Sequence, residues 1–184
     1  KLRTSHRIEV DPLAEITVTC GATEAIYSAI QAVVGHGDEA IVFDPAYDTY
    51  DPTVTLNGAI CRHIPMTCPD FRIDWQRLRD TVNERTRLII LNTPHNPSGT
   101  CLTAGDLAEL RDIVRKRNVF LLSDEVYEHL VFDQKPHLSI LSDAELAARS
   151  FAVFSFGKTF HATSWRVGDC VATVELMSEY LKIQ

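Results

Sequence analysis

Apolar positions along this chain recur with two spacings. Short runs at 16–20, 40–43, 59–64, 87–91, 119–122, 150–154 and 167–174, rich in β-branched and aromatic residues, read as strands. Those at 87–91 and 119–122 show no polar alternation, the mark of strands covered on both faces. Between the runs the spacing lengthens to that of a helix. Ala25, Ile26, Ala29, Ile30 and Val33 share one face of a helix over 22–34. Leu107, Leu110, Ile113 and Val114 point inward from a helix over 103–117, with Arg111, Arg115 and Lys116 outward. Further helices are predicted within 71–82, starting near Asp74, at 142–148 and at 175–184. Strands that alternate with helices predict an α/β fold, a three-layer α/β/α sandwich around a mostly parallel central sheet.

Composition narrows the reading. With 184 residues, 45% of them hydrophobic, the chain can bury one substantial core. No repeat, low-complexity tract or linker divides it, so 16–184 is expected to be one domain, with 1–15 as the remnant of an amino-terminal region. Eighteen basic and 25 acidic residues give a net charge of -7, and no lysine or arginine run is dense enough to track a phosphate backbone. Nucleic acid is therefore not an expected partner. Cys20, Cys61, Cys68, Cys101 and Cys170 are odd in number and widely spaced, and read as reduced core thiols of a cytoplasmic protein. Neither a signal peptide nor a membrane-length apolar run is visible. The chain opens without methionine and stops inside a predicted helix, which suggests a piece of something longer.

The chemistry lies where strands end. Ligands of open parallel sheets bind outside the carboxyl ends of the strands, and Gly21, Tyr47, Asn96, Asp124 and Lys158 each follow a strand. Gly21-Ala22-Thr23 turns a strand into a helix start, which offers backbone N–H groups to an anion. Alone it is equally a turn with a Thr23 cap, and without further glycines it is no dinucleotide fingerprint. Tyr47 alone is packing, and Asn96 alone is a turn former in the rigid stretch 92–99. Asp124 follows four apolar residues, so it is poorly solvated and neutral unless a cation or donors compensate it. A helix cap, or a metal pair with Glu125, are the competing readings; no histidine stands at tight ligand spacing, so no metal is expected. Tyr127 can reach the same side through one bend. His129, His137 and His161 receive no role.

Most lysines are solvated surface groups, but Lys158 stands at the end of an apolar strand between small and hydroxylic neighbours. An amine at the lip of a partly dry pocket has its pKa lowered and becomes a nucleophile toward an aldehyde. Together the set matches one cofactor, pyridoxal 5'-phosphate (PLP): an amine for its aldehyde, a carboxylate for its ring nitrogen, a ring for its face and an anion site for its phosphate.

Asn96-Pro97-x-Gly99, Ser123-Asp124-Glu125-x-Tyr127 and Ser155-x-Gly157-Lys158-Thr159 resemble, in order, the signature segments of the fold-type I, PLP-dependent aminotransferases of class I/II. Asn92-Thr93-Pro94-His95-Asn96-Pro97 and Asp124-Glu125-Val126-Tyr127-Glu128-His129 are most similar to the methionine and kynurenine (glutamine-type) branch. The resemblance implies that Lys158 forms the internal aldimine (a Schiff base) and shuttles the α-proton. It implies that Asp124 pairs with the pyridinium nitrogen, that Tyr127 and Asn96 bond the phenolic oxygen, and that Tyr47 stacks on the ring. Ala22, Thr23, Ser155 and Arg166 would hold the phosphate, and Asn96 would also touch the substrate carboxylate. The implied reaction moves an amino group between an amino acid (methionine, aromatic or kynurenine-like) and a 2-oxo acid, in a protein that is a homodimer at full length. A carbon-sulfur β-lyase using the same cofactor, and a cofactor-binding fragment without turnover, are the alternatives. Two positions depart from the family pattern: Ser164 precedes Trp165-Arg166 where glycine is usual, and Asp169 follows Gly168 where an aromatic is usual. The carboxyl-terminal small domain of the family is expected to be absent.

Overall fold

The computed structural model describes residues 2–6, 8–133 and 136–184, without the side chain of Ser5; two positions of the 1–15 segment thus lie outside the described residues. Seven strands, β1 (Ile16–Thr19), β2 (Glu39–Asp44), β3 (Ile60–Pro65), β4 (Thr86–Asn92), β5 (Phe120–Asp124), β6 (Ser150–Ser155) and β7 (Gly168–Val171), form one sheet in the order β1-β7-β6-β5-β4-β2-β3. The pairs from β3 through β6 are parallel. Strand β7 is antiparallel to both β6 and β1, so β1 runs in the direction of β6.

Alternation along each strand sorts the core into two layers. Ala40, Val42, Leu88, Ile90, Leu122, Phe151, Val153 and Cys170 face α1 (Ala22–Val33), α2 (Tyr50–Leu56) and α7 (Val174–Tyr180). Ile41, Phe43, Ile89, Leu91, Leu121, Ala152, Phe154 and Val171 face α3 (Trp75–Thr81), α4 (Ala104–Val114) and α5 (Ala144–Ala147). This is the three-layer sandwich that the patterning predicts. Helix α4 buries the four residues predicted to point inward, and a capping box between Thr103 and Asp106 fixes its start.

Several expectations need correction. Helix α2 was not foreseen: seven residues with Pro52 in the first turn carry too little period, and burial of Tyr50, Thr53 and Val54 stabilises it. The strand expected over 167–174 stops at Val171, because the Thr173 hydroxyl caps α7 by accepting from the Leu176 N–H. The helix expected over 142–148 is a 3-10 turn (Ile140–Ser142) followed by the single turn of α5, capped by Asp143. The thiols are not core groups as a set: only Cys170 is buried, while Cys20 and Cys68 are exposed. In the amino-terminal segment, Leu2 is buried in the second layer and His6 bonds Glu128 at 2.6 Å.

Candidate active site

Because β1 runs with β6, the strands β1, β2, β4, β5 and β6 all deliver their carboxyl ends to one edge. Strand β7, running the other way, starts there. A cavity of about 250 Å³ opens at this edge, and it is lined by Gly21, Ala22, Thr23, Tyr47, Asn96, Asp124, Tyr127, Ser155, Lys158 and Arg166. The structure therefore gathers every residue that the sequence singled out.

Asp124 ends β5 on the face of Leu122 and is 4% exposed. Its Oδ2 accepts a 2.7 Å hydrogen bond from the Tyr50 hydroxyl, and its Oδ1 accepts from the Val126 N–H at 3.3 Å. Burial pushes its pKa up to about 6, against the two donors that favour the ionised form. Glu125 leaves on the opposite face, where it accepts from the Ser123 hydroxyl and the Ile140 N–H and bonds His137 Nε2, each at 2.9 Å. The sheet thus separates the two acids, and the metal pair Asp124–Glu125 does not exist. His137, given no role from sequence, is a buried structural partner of Glu125.

The loop after β4 is tied to the same edge. Asn92 donates to the Asp124 carbonyl at 2.9 Å and accepts from the Asn96 N–H at 2.7 Å, which fixes where Asn96 stands. The buried His95 ring spans Ser98 Oγ at 2.7 Å and the Pro45 carbonyl at 3.0 Å, joining this loop to the turn that carries Tyr47. Tyr47 and Tyr50 pack edge to face at 5.6 Å.

The corner at the start of α1 is built by close backbone approach. Gly21 has φ +83, and no side chain caps the start of α1. An added Cβ at Gly21 would meet the Arg166 guanidinium at 3.1 Å, and one at Gly168 would meet the Ala22 nitrogen at 2.6 Å. Arg166, itself left-handed at φ 51, reaches Thr23 Oγ1 at 3.4 Å. Ser155 ends β6, and its hydroxyl accepts from the Gly157 N–H at 3.2 Å to start the single turn α6 (Phe156–Thr159). Lys158 lies on that turn, lines the cavity and is exposed; its Nζ stands 5.5 Å from the centre of the Tyr127 ring.

The departures at Ser164 and Asp169 leave this cavity intact. Ser164 lies on an exposed 3-10 turn, and Asp169 borders a groove on the other face, beside Arg3, Glu9 and Phe156. Among the described residues, Asp51, Cys61 and His63 also bring ligand atoms within 4.8 Å of one another. There His63 bridges Asp44 and Asp51, and its bond to Asp44 raises its pKa. Sequence reasoning missed Tyr50, Asn92 and Gly168, whose contacts cross between elements.

Fold and site define the class: an α/β domain whose sheet edge presents a lysine, a buried acid and a helix start around one cavity. The chain belongs to the aminotransferase class I and II family, whose model matches residues 1–184. It is 49% identical over 173 residues to a methionine aminotransferase of Escherichia coli, covering 94% of this chain and 45% of that protein. To kynurenine--oxoglutarate transaminase 3 of Rattus norvegicus it is 35% identical, covering 97% of this chain and 42% of that one. Among solved structures, the N-succinyldiaminopimelate aminotransferase of Mycobacterium tuberculosis superposes with a TM-score of 0.95 at 37% identity, over 99% of this chain and 48% of that one. YbdL from Escherichia coli, a protein with a methionine aminotransferase function, superposes with a TM-score of 0.97 at 47% identity, over 99% of this chain and 48% of that one. The chain spans about half the length of the curated relatives it matches.

Proposed function

We propose that residues 16–184 are the PLP-binding large domain of an aminotransferase that moves an amino group between an amino acid and a 2-oxo acid. The observation that carries this reading is the meeting of Lys158, buried Asp124 and the uncapped start of α1 around one cavity. Those residues fit the group: Gly21 and Gly168 leave a cradle that a Cβ would fill, and Asp124 offers a carboxylate to a ring N–H. When bound, PLP supplies a ring that draws negative charge away from the substrate α-carbon.

The chain's own residues do the rest. Lys158 holds the cofactor at its aldehyde carbon and moves the proton at the substrate α-carbon. Asp124 keeps the proton on the ring nitrogen. Tyr127 and Asn96 donate to the phenolic oxygen, and Tyr47 covers the ring face. The phosphate is held by the first-turn N–H groups at Ala22 and Thr23, the Ser155 hydroxyl and the Arg166 guanidinium. Asn96 also meets the substrate carboxylate. Methionine, aromatic and kynurenine-like donors are favoured because relatives carry those names. A cytoplasmic homodimer at full length belongs to the same reading; among the described residues no helix is long and apolar enough to cross a membrane.

Borohydride reduction after incubation with PLP, followed by peptide mapping, tests the reading. The pyridoxyl group is expected on Lys158 alone, and Lys158→Ala should leave the chain unlabelled; label at another lysine sinks the assignment. In the full-length protein, methionine should yield its 2-oxo acid only when a 2-oxo acid acceptor is supplied. Ammonia released without an acceptor would favour the β-lyase.

A further inference from the structure

We infer that Tyr50 is a positioning residue for Asp124: from behind the cavity its hydroxyl holds one carboxylate oxygen and keeps the acid in the ionised form that a protonated ring nitrogen needs. This rests on the reading just given and deepens it. Tyr50 is 3% exposed and does not line the cavity, so it cannot serve a ligand directly. Its hydroxyl instead donates 2.7 Å to Asp124 Oδ2.

The geometry gives Oδ2 of the acid to Tyr50 and Oδ1 to the Val126 N–H. It also places the tyrosine on the segment that carries Tyr47, whose ring packs edge to face against it at 5.6 Å. One turn of chain thus supplies both a cover for a ring face and a clamp for the acid addressing that ring's nitrogen. A hydrogen bond to the charged form of a buried carboxyl favours ionisation. Burial works the other way and dominates, leaving the Asp124 pKa at about 6. Other groups around the cavity that carry or can gain charge are Tyr47, Tyr127, Lys158 and Arg166, with Glu125 next along the chain and raising the Asp124 pKa further. Helix α1 presents Ala22, Thr23 and Ile26 there, the end of β4 Asn92 and the loop after it Asn96. None of these is hydrogen-bonded to Oδ2 as Tyr50 is.

The decisive measurement needs no cofactor. Removing the hydroxyl with Tyr50→Phe raises the Asp124 pKa in the folded chain and so disfavours the folded form once the acid must ionise. In urea unfolding at pH 5 and pH 8, the loss caused by Tyr50→Phe should therefore grow with pH, by about tenfold in the unfolding constant for one pKa unit. In the chain that also carries Asp124→Asn, the loss should be the same at both pH values. A pH-independent loss in the Asp124 background would reveal plain packing and overturn the inference. Should Tyr50→Phe not fold, 3-fluorotyrosine at position 50 keeps the ring and sharpens the donor. It must then lower the titration midpoint of the Asp124 carboxyl read by carbon-13 shift, and an unmoved midpoint is equally fatal.

Titration with PLP supplies the second arm. At pH 8 the Tyr50→Phe chain should bind PLP on the order of tenfold more weakly, as expected for a lost hydrogen bond to an ionised group. At pH 5, where Asp124 is protonated in both chains, the gap should close. Equal affinity at pH 8 would overturn the link to the ring nitrogen. If the unsubstituted chain takes up no PLP at all, the functional reading above fails instead, while the unfolding experiment still decides whether Tyr50 tunes Asp124.

Discussion

Gly168 shows how much of the site rests on an atom that is missing. A Cβ there would lie 2.6 Å from the Ala22 nitrogen, 2.7 Å from the Gly21 carbonyl carbon and 3.0 Å from the Phe154 carbonyl oxygen, all of them backbone. Backbone cannot swing aside as a side-chain tip can, so Gly168→Ala must push β7 away from the Gly21 turn. The expected cost is about 1–3 kcal/mol in urea unfolding, the usual range for overpacking. PLP affinity should fall as well, because the first turn of α1 moves with the turn. Asp124→Ala makes a second prediction at this scale: PLP binding weakens and most activity of the full-length protein is lost, because nothing then holds the proton on the ring nitrogen. Asp124 was legible in the sequence because a carboxylate one residue past four apolar ones is anomalous on its face. Tyr50 and Asn92 were not, since a tyrosine near a turn and an asparagine before Thr93-Pro94 are ordinary until the partner is seen.

At the scale of elements, helices with a full period and a cap were read closely, and short ones were not. Helix α4 carries both signals, and the Thr103 hydroxyl accepts from the Asp106 N–H while the Asp106 carboxylate returns the bond to the Thr103 N–H. Thr103→Ala should cost about 1 kcal/mol of stability by thermal or urea unfolding, with PLP affinity unchanged because α4 packs on the face away from the cavity. Helix α2 has neither signal and owes its place to tertiary burial of Tyr50 and Val54 against α1. The direction of β7 has a comparable origin. Only α6 and one 3-10 turn stand between β6 and β7, with no helix long enough to carry the chain back along the sheet. The chain must return antiparallel, and that return brings Arg166 to the cavity from the amino end of a strand.

For the molecule as a whole, charge buried at the far edge of the sheet should set its behaviour in acid. The Glu39 side chain is fully buried, bonded by Arg62 and Asn83 and paired with Arg85, and the Arg62 hydrogen bond leads in lowering its pKa to about 2. The folded pKa is depressed, so the stabilisation is present above the unfolded value near 4.5 and is lost as pH falls toward 2. Both arginines are largely solvated, which reduces the contribution to roughly 1–2 kcal/mol. Glu39→Gln should lower stability by about that amount at pH 7, and its difference from the unsubstituted chain should shrink below about pH 4.5 and vanish only as pH falls through about 2 in acid-unfolding curves. Asp124 works in the opposite sense: its raised pKa makes the fold lose stability as pH rises from about 4 to about 6, the range in which a buried acid must ionise. The two groups together predict a shallow stability maximum on the acid side, unless a cationic ring nitrogen occupies the cavity.

The sequence by itself determined the layers and the edge at which chemistry would collect. Strand alternation and helix period are local properties, and a residue that follows a buried strand in a mostly parallel sheet has only one edge at which to emerge. What the tertiary structure decided is which groups touch. The clamp from Tyr50, the tether through Asn92, the bond from the Ile140 N–H to Glu125 and the close approach at Gly168 are all contacts between residues distant in sequence. No periodicity along one chain encodes such distances, because they are set by how the packed layers come to rest against each other.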